Sequence, residues 1–255
     1  MHFRSHKGLL GKIKKVTVGI IGSPTGGPFP VAEVPKELDW NMWLGQAAEV
    51  PYREKRCHYE FRWWYEYSGG KFTDWGAHHV DIAQWALQED SKGKGPTSID
   101  GTDVKHPVPF KDGWPQQDDS YNTAHDFAVV CKFPSGVEMV IDSRSDNGVL
   151  FEGEKGRMFV NREKCTGKPI EENWDKDQFT DADVQKLYKG KPFEGHKQNF
   201  YRCIREGGLP VSDVYSHIIA MNTCHLASIA GRLGRKITWD PAAERIVGDE
   251  QAATF

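Results

Sequence analysis

The chain has 255 residues, a formal net charge of −3 and a hydrophobic fraction of 38%. A charge this close to zero gives no reason to expect nucleic acid or an anionic membrane surface as a partner. No apolar run approaches the roughly 18 residues that cross a bilayer, so the sequence predicts no membrane-spanning helix.

The first half of the chain combines a strand, a loop and an aromatic segment. Alternating apolar residues predict a strand over residues 12–21, and four prolines predict a loop over 23–35. Residues 39–45 begin with aspartate and end with glycine, which is typical of a single helical turn. The aromatic-rich residues 56–67 predict a strand in which neighbouring side chains face opposite ways.

A helix is predicted over residues 74–87, after the Gly69-Gly70 break. At about 100° per residue, Asp74, His78, Asp81 and Trp85 fall within about 60° of one another. Buried Asp and His are costly unless paired, and such pairs are common in proton transfer. The alternative is structural, with Asp74 capping the helix and His78 as a hydrogen-bonded core histidine.

The second half of the chain reads as strands followed by helices. Turn sequences separate strands predicted over residues 97–105, 124–133, 137–144, 148–152 and 157–161. Residues 164–192 are polar and irregular, and two helices are predicted over 195–205 and 213–233. This order favours the α+β class, with an open-faced, mostly antiparallel sheet and helices packed on one face.

Two features that often mark cofactor or metal sites are weak here. Residues 19–27 are rich in glycine, but Pro24 and Pro28 prevent the helix that would hold a pyrophosphate. The five cysteines are widely spaced and form no Cys-x-x-Cys pair. They indicate reduced thiols rather than a zinc site or a disulfide framework, which favours a cytoplasmic location. No cofactor or metal site is therefore predicted.

Segments along nearly the whole chain resemble the C-terminal domain of the glucose–fructose oxidoreductase / inositol dehydrogenase / rhizopine-catabolism family (Gfo/Idh/MocA). The most specific is Asp74-Trp75-Gly76-Ala77-His78-His79-Val80-Asp81. The other matching segments are residues 10–13, 22–28, 39–45, 62–64, 199–204, 224–226 and 234–241.

The resemblance implies a longer enzyme in which a preceding Rossmann domain binds NAD(P) and supplies a catalytic lysine. Neither has a counterpart in these residues, so the chain looks like a family member without its cofactor domain. It is expected to form a single substrate and oligomerisation domain over residues 1–255. Residues 1–11 would be the remnant of an interdomain helix, and 164–192 an excursion. Exported members of this branch carry their signal ahead of the Rossmann domain.

The resemblance also implies roles for individual residues. His78 would be the acid/base group of a sugar or polyol dehydrogenase, and Asp74 its partner. Asp81, His79, Arg62 and Trp64 are candidates for substrate binding, although His79 points about 100° away from His78 and could pack locally instead. The open sheet would pair two copies of the chain into a homo-oligomer.

Three alternatives remain open at the level of sequence. The chain could be a stand-alone carbohydrate-binding protein. It could be a sugar lyase or hydratase that uses His78, assisted by a metal on Asp74, His78 and either His217 or His225. It could also have a purely structural role, in which it only forms assemblies through its open sheet.

Overall fold

The computed structural model of the chain describes residues 8–168, 171–173, 180–188, 192 and 194–255. Its strands are β1 (Ile13–Gly19), β2 (Ser98–Lys105), β3 (Phe110–Lys111), β4 (Trp114–Pro115), β5 (Asp126–Lys132), β6 (Glu138–Asp142), β7 (Gly148–Gly153), β8 (Gly156–Val160), β9 (Cys165–Thr166), β10 (Lys236–Asp240) and β11 (Arg245–Val247). Its α-helices are α1 (Trp40–Leu44), α2 (Gly76–Leu87), α3 (Asp181–Leu187), α4 (His196–Glu206) and α5 (Val214–Leu233).

Nine of these strands form one sheet in the order β11-β10-β2-β5-β6-β1-β7-β8-β9. The pair β1 and β6 is parallel, and the other neighbours are antiparallel. Both predicted hairpins, β5–β6 and β7–β8, are present. The predicted α+β class and the mostly antiparallel sheet are confirmed.

The two long helices, α2 and α5, cover one face of the sheet. Val16 and Val18 of β1 are fully buried there, together with Val80 of α2 and Ala220 and Cys224 of α5. Successive residues of a strand point to opposite faces of the sheet, so the residues that alternate with these buried ones point to the face away from the helices. The core therefore lies between the sheet and these two helices.

The opposite face of the sheet carries a half-buried row of mostly apolar side chains. Val130, Val140, Thr17, Leu150 and Phe159 stand directly opposite one another on β5, β6, β1, β7 and β8. Residues in register on neighbouring strands share a face. This row is the open face of the sheet.

The predicted strand over residues 56–67 is wrong. The segment forms two 3₁₀ turns, Glu54–Arg56 and His58–Trp63, whose backbone bonds are local. Aromatic residues favour strands because they pack well on a sheet surface. Here Trp63 and Trp64 pack against Tyr121 in a separate cluster beside the sheet, so that preference is satisfied without strand pairing.

Other predicted segments differ in detail. Helix α2 begins at Gly76, two residues later than predicted. Of the predicted remnant over residues 1–11, residues 8–10 form a turn and 1–7 lie outside the described residues. The predicted excursion over 164–192 contains β9, a 3₁₀ turn at Glu171–Asn173 and helix α3 among its described residues.

The glycine-rich segment after β1 owes its composition to close packing. A Cβ on Gly19 would overlap the carbonyl oxygen of Asp146, and one on Gly22 that of His125. Residues 20–35 contain no helix whose N-terminus could hold a pyrophosphate. The segment therefore does not fit a dinucleotide cofactor.

Replacing Gly22 with alanine is expected to lower the free energy of unfolding by about 2 kcal/mol, because the main chain at His125 must move to admit the methyl group. Urea denaturation measures this loss. Gly195→Ala is the control, since its Cβ would meet only the flexible Gln198 side chain. Equal losses in the two variants would argue against close packing at Gly22.

Candidate active site

Helix α2 is held rigidly by its buried side. The His79 ring is buried, and its Nδ1 lies 3.0 Å from the carbonyl oxygen of Gly19 on β1. Burial lowers the pKa of His79, which favours a neutral ring that donates this bond. Gly76 also allows close approach to α5, because a Cβ there would lie 3.2 Å from Cys224 Sγ. His79 thus anchors the helix and lies away from solvent.

His78 points about 100° away from His79 around the helix and is exposed to solvent. Its ring lies edge-on to Trp75, with 5.9 Å between the ring centres. The interpretation of His78 as a core histidine is therefore wrong, and its neighbour His79 has that position. An exposed imidazole on a rigid helix is free to exchange protons with a bound molecule.

Asp74 lies in the turn before α2 and does not cap the helix, whose first turn has no side-chain cap. Its carboxylate accepts hydrogen bonds from Arg62 Nη1 at 3.0 and 3.1 Å and from Lys71 Nζ at 3.2 Å. Neither oxygen is hydrogen-bonded to His78 among the described contacts.

Asp81, one turn after His78, has a partner from a distant part of the chain. Its Oδ1 lies 3.4 Å from Nδ1 of His217, in the first turn of α5. Burial raises the pKa of Asp81, and the bond from His217 opposes that rise. Local sequence patterns could not predict this pair, because 136 positions separate the two residues.

The aromatic residues near Asp74 support the site more than they line it. Trp64 is fully buried, and its Nε1 donates to the carbonyl oxygen of Lys55 at 2.6 Å. Trp63 is 3% exposed, whereas Tyr59 is 70% exposed. Arg62 lies over both rings, 3.7 Å from the centre of Tyr59 and 4.6 Å from that of Trp63. Arg62 thus reaches the site, whereas Trp64 lies behind it.

Two further features concern metals and membranes. Within the described ranges, no three His, Cys, Asp or Glu side chains are grouped closely enough to hold a metal ion. No described helix is both long and apolar enough to cross a bilayer. The cysteines Cys57, Cys131 and Cys224 are buried and form no disulfide in the described structure.

Solved structures with a similar fold include dehydrogenases. The WlbA dehydrogenase from Bordetella pertussis, in complex with NADH and UDP-GlcNAcA, aligns with 93% of this chain and 59% of its own length, at a TM-score of 0.51 and 16% identity. An NAD-binding protein from Listeria innocua aligns with 93% of this chain and 58% of its own length, at a TM-score of 0.50 and 11% identity. At these identities the likeness shows the fold alone. The chain spans less than two thirds of the length of both proteins.

No curated protein matches the chain. The family described as "Oxidoreductase family, C-terminal alpha/beta domain", of the Gfo/Idh/MocA group, matches residues 25–255. The match includes α2, the 3₁₀ turns before it and almost the whole sheet. Because it extends over most of the sequence, the chain belongs to the Gfo/Idh/MocA oxidoreductase family, as its C-terminal alpha/beta domain.

Proposed function

We propose that this chain is the substrate-binding and oligomerisation domain of an NAD(P)-dependent sugar or polyol oxidoreductase, with His78 as its acid/base group. The observation that carries the proposal is the exposure of the His78 side chain. Helix α2 is fixed by its buried side chains, so His78 is held at the surface where a substrate can reach it. An imidazole can accept a hydroxyl proton and later return it.

In this reaction His78 takes the proton of a substrate hydroxyl while a hydride leaves the carbon that carries that hydroxyl. NAD(P), held by residues outside this chain, supplies the hydride acceptor when bound. The anchor from His79 to Gly19 keeps the helix, and with it the His78 backbone, in one place. Such positioning favours proton transfer, because the helix that carries the imidazole does not have to become ordered when the substrate binds.

Asp74 lies one turn before His78 and belongs to the same site. Its carboxylate accepts hydrogen bonds from Arg62 and Lys71, and its role as the partner of His78 is the one that the family resemblance implies. Asp81, on the other side of His78, is the second carboxylate and suits a sugar hydroxyl. Burial raises its pKa, and its bond to His217 leaves one oxygen available.

The open face of the sheet supports the proposed self-association. Its central row from Val130 to Phe159 is half-buried and mostly apolar. Charged residues occur around it, among them Arg144, which bridges Asp103 and Asp126. An apolar centre with a charged rim is the usual composition of a protein interface.

Replacing His78 with asparagine is expected to weaken binding of a polyol such as myo-inositol about fivefold, which corresponds to one lost hydrogen bond of about 1 kcal/mol. Binding is measured by NMR titration of the isotope-labelled chain. His196→Asn is the matched control, since His196 is exposed on α4. Equal affinities in the two variants would remove His78 from the site. Saturable NAD(H) binding to this chain in calorimetry would contradict the proposal that residues outside this chain hold NAD(P).

A further inference from the structure

We infer that Arg62 and Lys71 form a binding site for a carboxylate on the substrate, so that the sugar handled at His78 is a sugar acid such as a uronate. This inference rests on the proposed function and names the substrate class of the same site. Its basis is the charge balance around Asp74.

Two cations share one carboxylate at this position. Arg62 and Lys71 both bond to Asp74, and the side chains of the three residues are only 18%, 14% and 20% exposed. One negative charge therefore faces two positive charges in a largely desolvated cluster. Partial burial of an unbalanced cation is unfavourable, and a second carboxylate would balance the cluster.

The Arg62 guanidinium also has one nitrogen without a hydrogen-bond acceptor. Its Nε donates to the carbonyl oxygen of Tyr59 at 3.1 Å, and Nη1 donates to Asp74. Its Nη2 is buried and has no hydrogen-bond partner in the described structure. The rings of Tyr59 and Trp63 hold the guanidinium plane in place. A guanidinium that is fixed in orientation and has an unpaired N–H group can give a charge-assisted hydrogen bond to a second carboxylate.

The neighbouring carboxylate of Glu60 has partners other than Arg62 and Lys71. Glu60 is already bonded to Trp63 Nε1, Tyr121 Oη and Lys55. On the other side, a third cation, Arg162, lies 5.0 Å from the ring centre of Trp75.

The cluster also adjoins the proposed reaction site. Asp74 and His78 are one turn apart, and Trp75 contacts the His78 ring. A molecule that touches His78 can therefore reach the cations around Asp74. A carboxylate bound there would place an adjacent sugar hydroxyl near the imidazole.

The experiment compares glucuronate, glucose and glucose 6-phosphate in low-salt calorimetry with the full chain. Wild type is expected to bind glucuronate at least about tenfold more tightly than glucose, which is about 1.4 kcal/mol. Arg62→Gln and Lys71→Gln should each weaken glucuronate binding about tenfold more than glucose binding. Asp74→Asn should strengthen glucuronate binding, because it removes the competing carboxylate. Lys236→Gln, on β10 near the far edge of the sheet, is the charge-matched control.

Several results would overturn the inference. Equal binding of glucose and glucuronate that still depends on His78 would refute it and leave the proposed function standing. Tighter binding of glucose 6-phosphate than of glucuronate would assign the site to phosphate instead. If neither sugar nor polyol binds, both proposals fail together. Should Arg62→Gln unfold the chain, judged by circular dichroism, Lys71→Gln decides the question, since the Lys71 side chain makes its one hydrogen bond to Asp74.

Discussion

Lowering the pH from neutral to about 4 is expected to destabilise the chain by about 3 kcal/mol through His106 alone. The ring of His106 stacks on Phe110, with 4.0 Å between the centres, and its Nε2 lies 3.1 Å from the Tyr65 hydroxyl. Burial lowers the pKa of His106 to about 4, and the positive charge of Arg232 contributes. Tyr65 also accepts the backbone N–H of Ala124, so its own proton is free to bond to a neutral His106.

The direction of the effect follows from proton binding. In the unfolded chain His106 takes up a proton near pH 6.5, whereas in the folded chain it does so only near pH 4. Stability is therefore complete above pH 6.5, falls as the pH drops through this window and levels off below about 4. The loss of about 3 kcal/mol corresponds to the difference between the two pKa values.

Urea denaturation at several pH values tests this expectation. His106→Gln keeps an acceptor for Tyr65 and should remove about 3 kcal/mol of the stability loss between pH 6.5 and 4, while the part due to other buried histidines such as His79 remains. His196→Gln, at an exposed position, should keep the whole loss. An unchanged slope in His106→Gln would assign the acid sensitivity to other groups.

Replacing Arg56 with alanine is expected to lower the free energy of unfolding by about 3–5 kcal/mol. Arg56 is fully buried although it carries a charge. It donates to Tyr67 Oη at 3.2 Å, to Glu66 at 3.5 Å and to the carbonyl oxygen of Asp118, and it stacks on Trp64 at 4.0 Å. Its removal leaves a cavity and a carboxylate without its cation.

The size of the loss in unfolding free energy distinguishes an arginine in a buried network from an arginine at the surface. Arg157→Ala, at an exposed position on β8, should change stability by no more than about 0.5 kcal/mol. Arg56→Lys should fall between the two, because it keeps the charge but loses the planar fork that serves three partners. A loss below about 1 kcal/mol in Arg56→Ala would mean that water readily replaces the guanidinium.

Local patterns predicted much of the sheet and the long helices. The β5–β6 and β7–β8 hairpins follow from short turn sequences between alternating strands, and α5 begins at Val214, one residue after the predicted start. The turns at residues 54–63 could not be predicted, because aromatic residues satisfy the same preference in a strand or in a compact cluster. What decides between them is Tyr121, which packs against Trp64 from a distant part of the chain.

The candidate site shows the same division. The spacing of Asp74, His78 and Asp81 is local, so the sequence alone determined which residues lie near one another on and before α2. The directions and partners of these side chains depend on contacts between distant segments. Arg62 binds Asp74, His217 binds Asp81, and β1 receives His79 so that His78 remains exposed. These pairings depend on the fold, because the energy of a buried or partly buried charge is set by groups that lie close in space and far apart in the sequence.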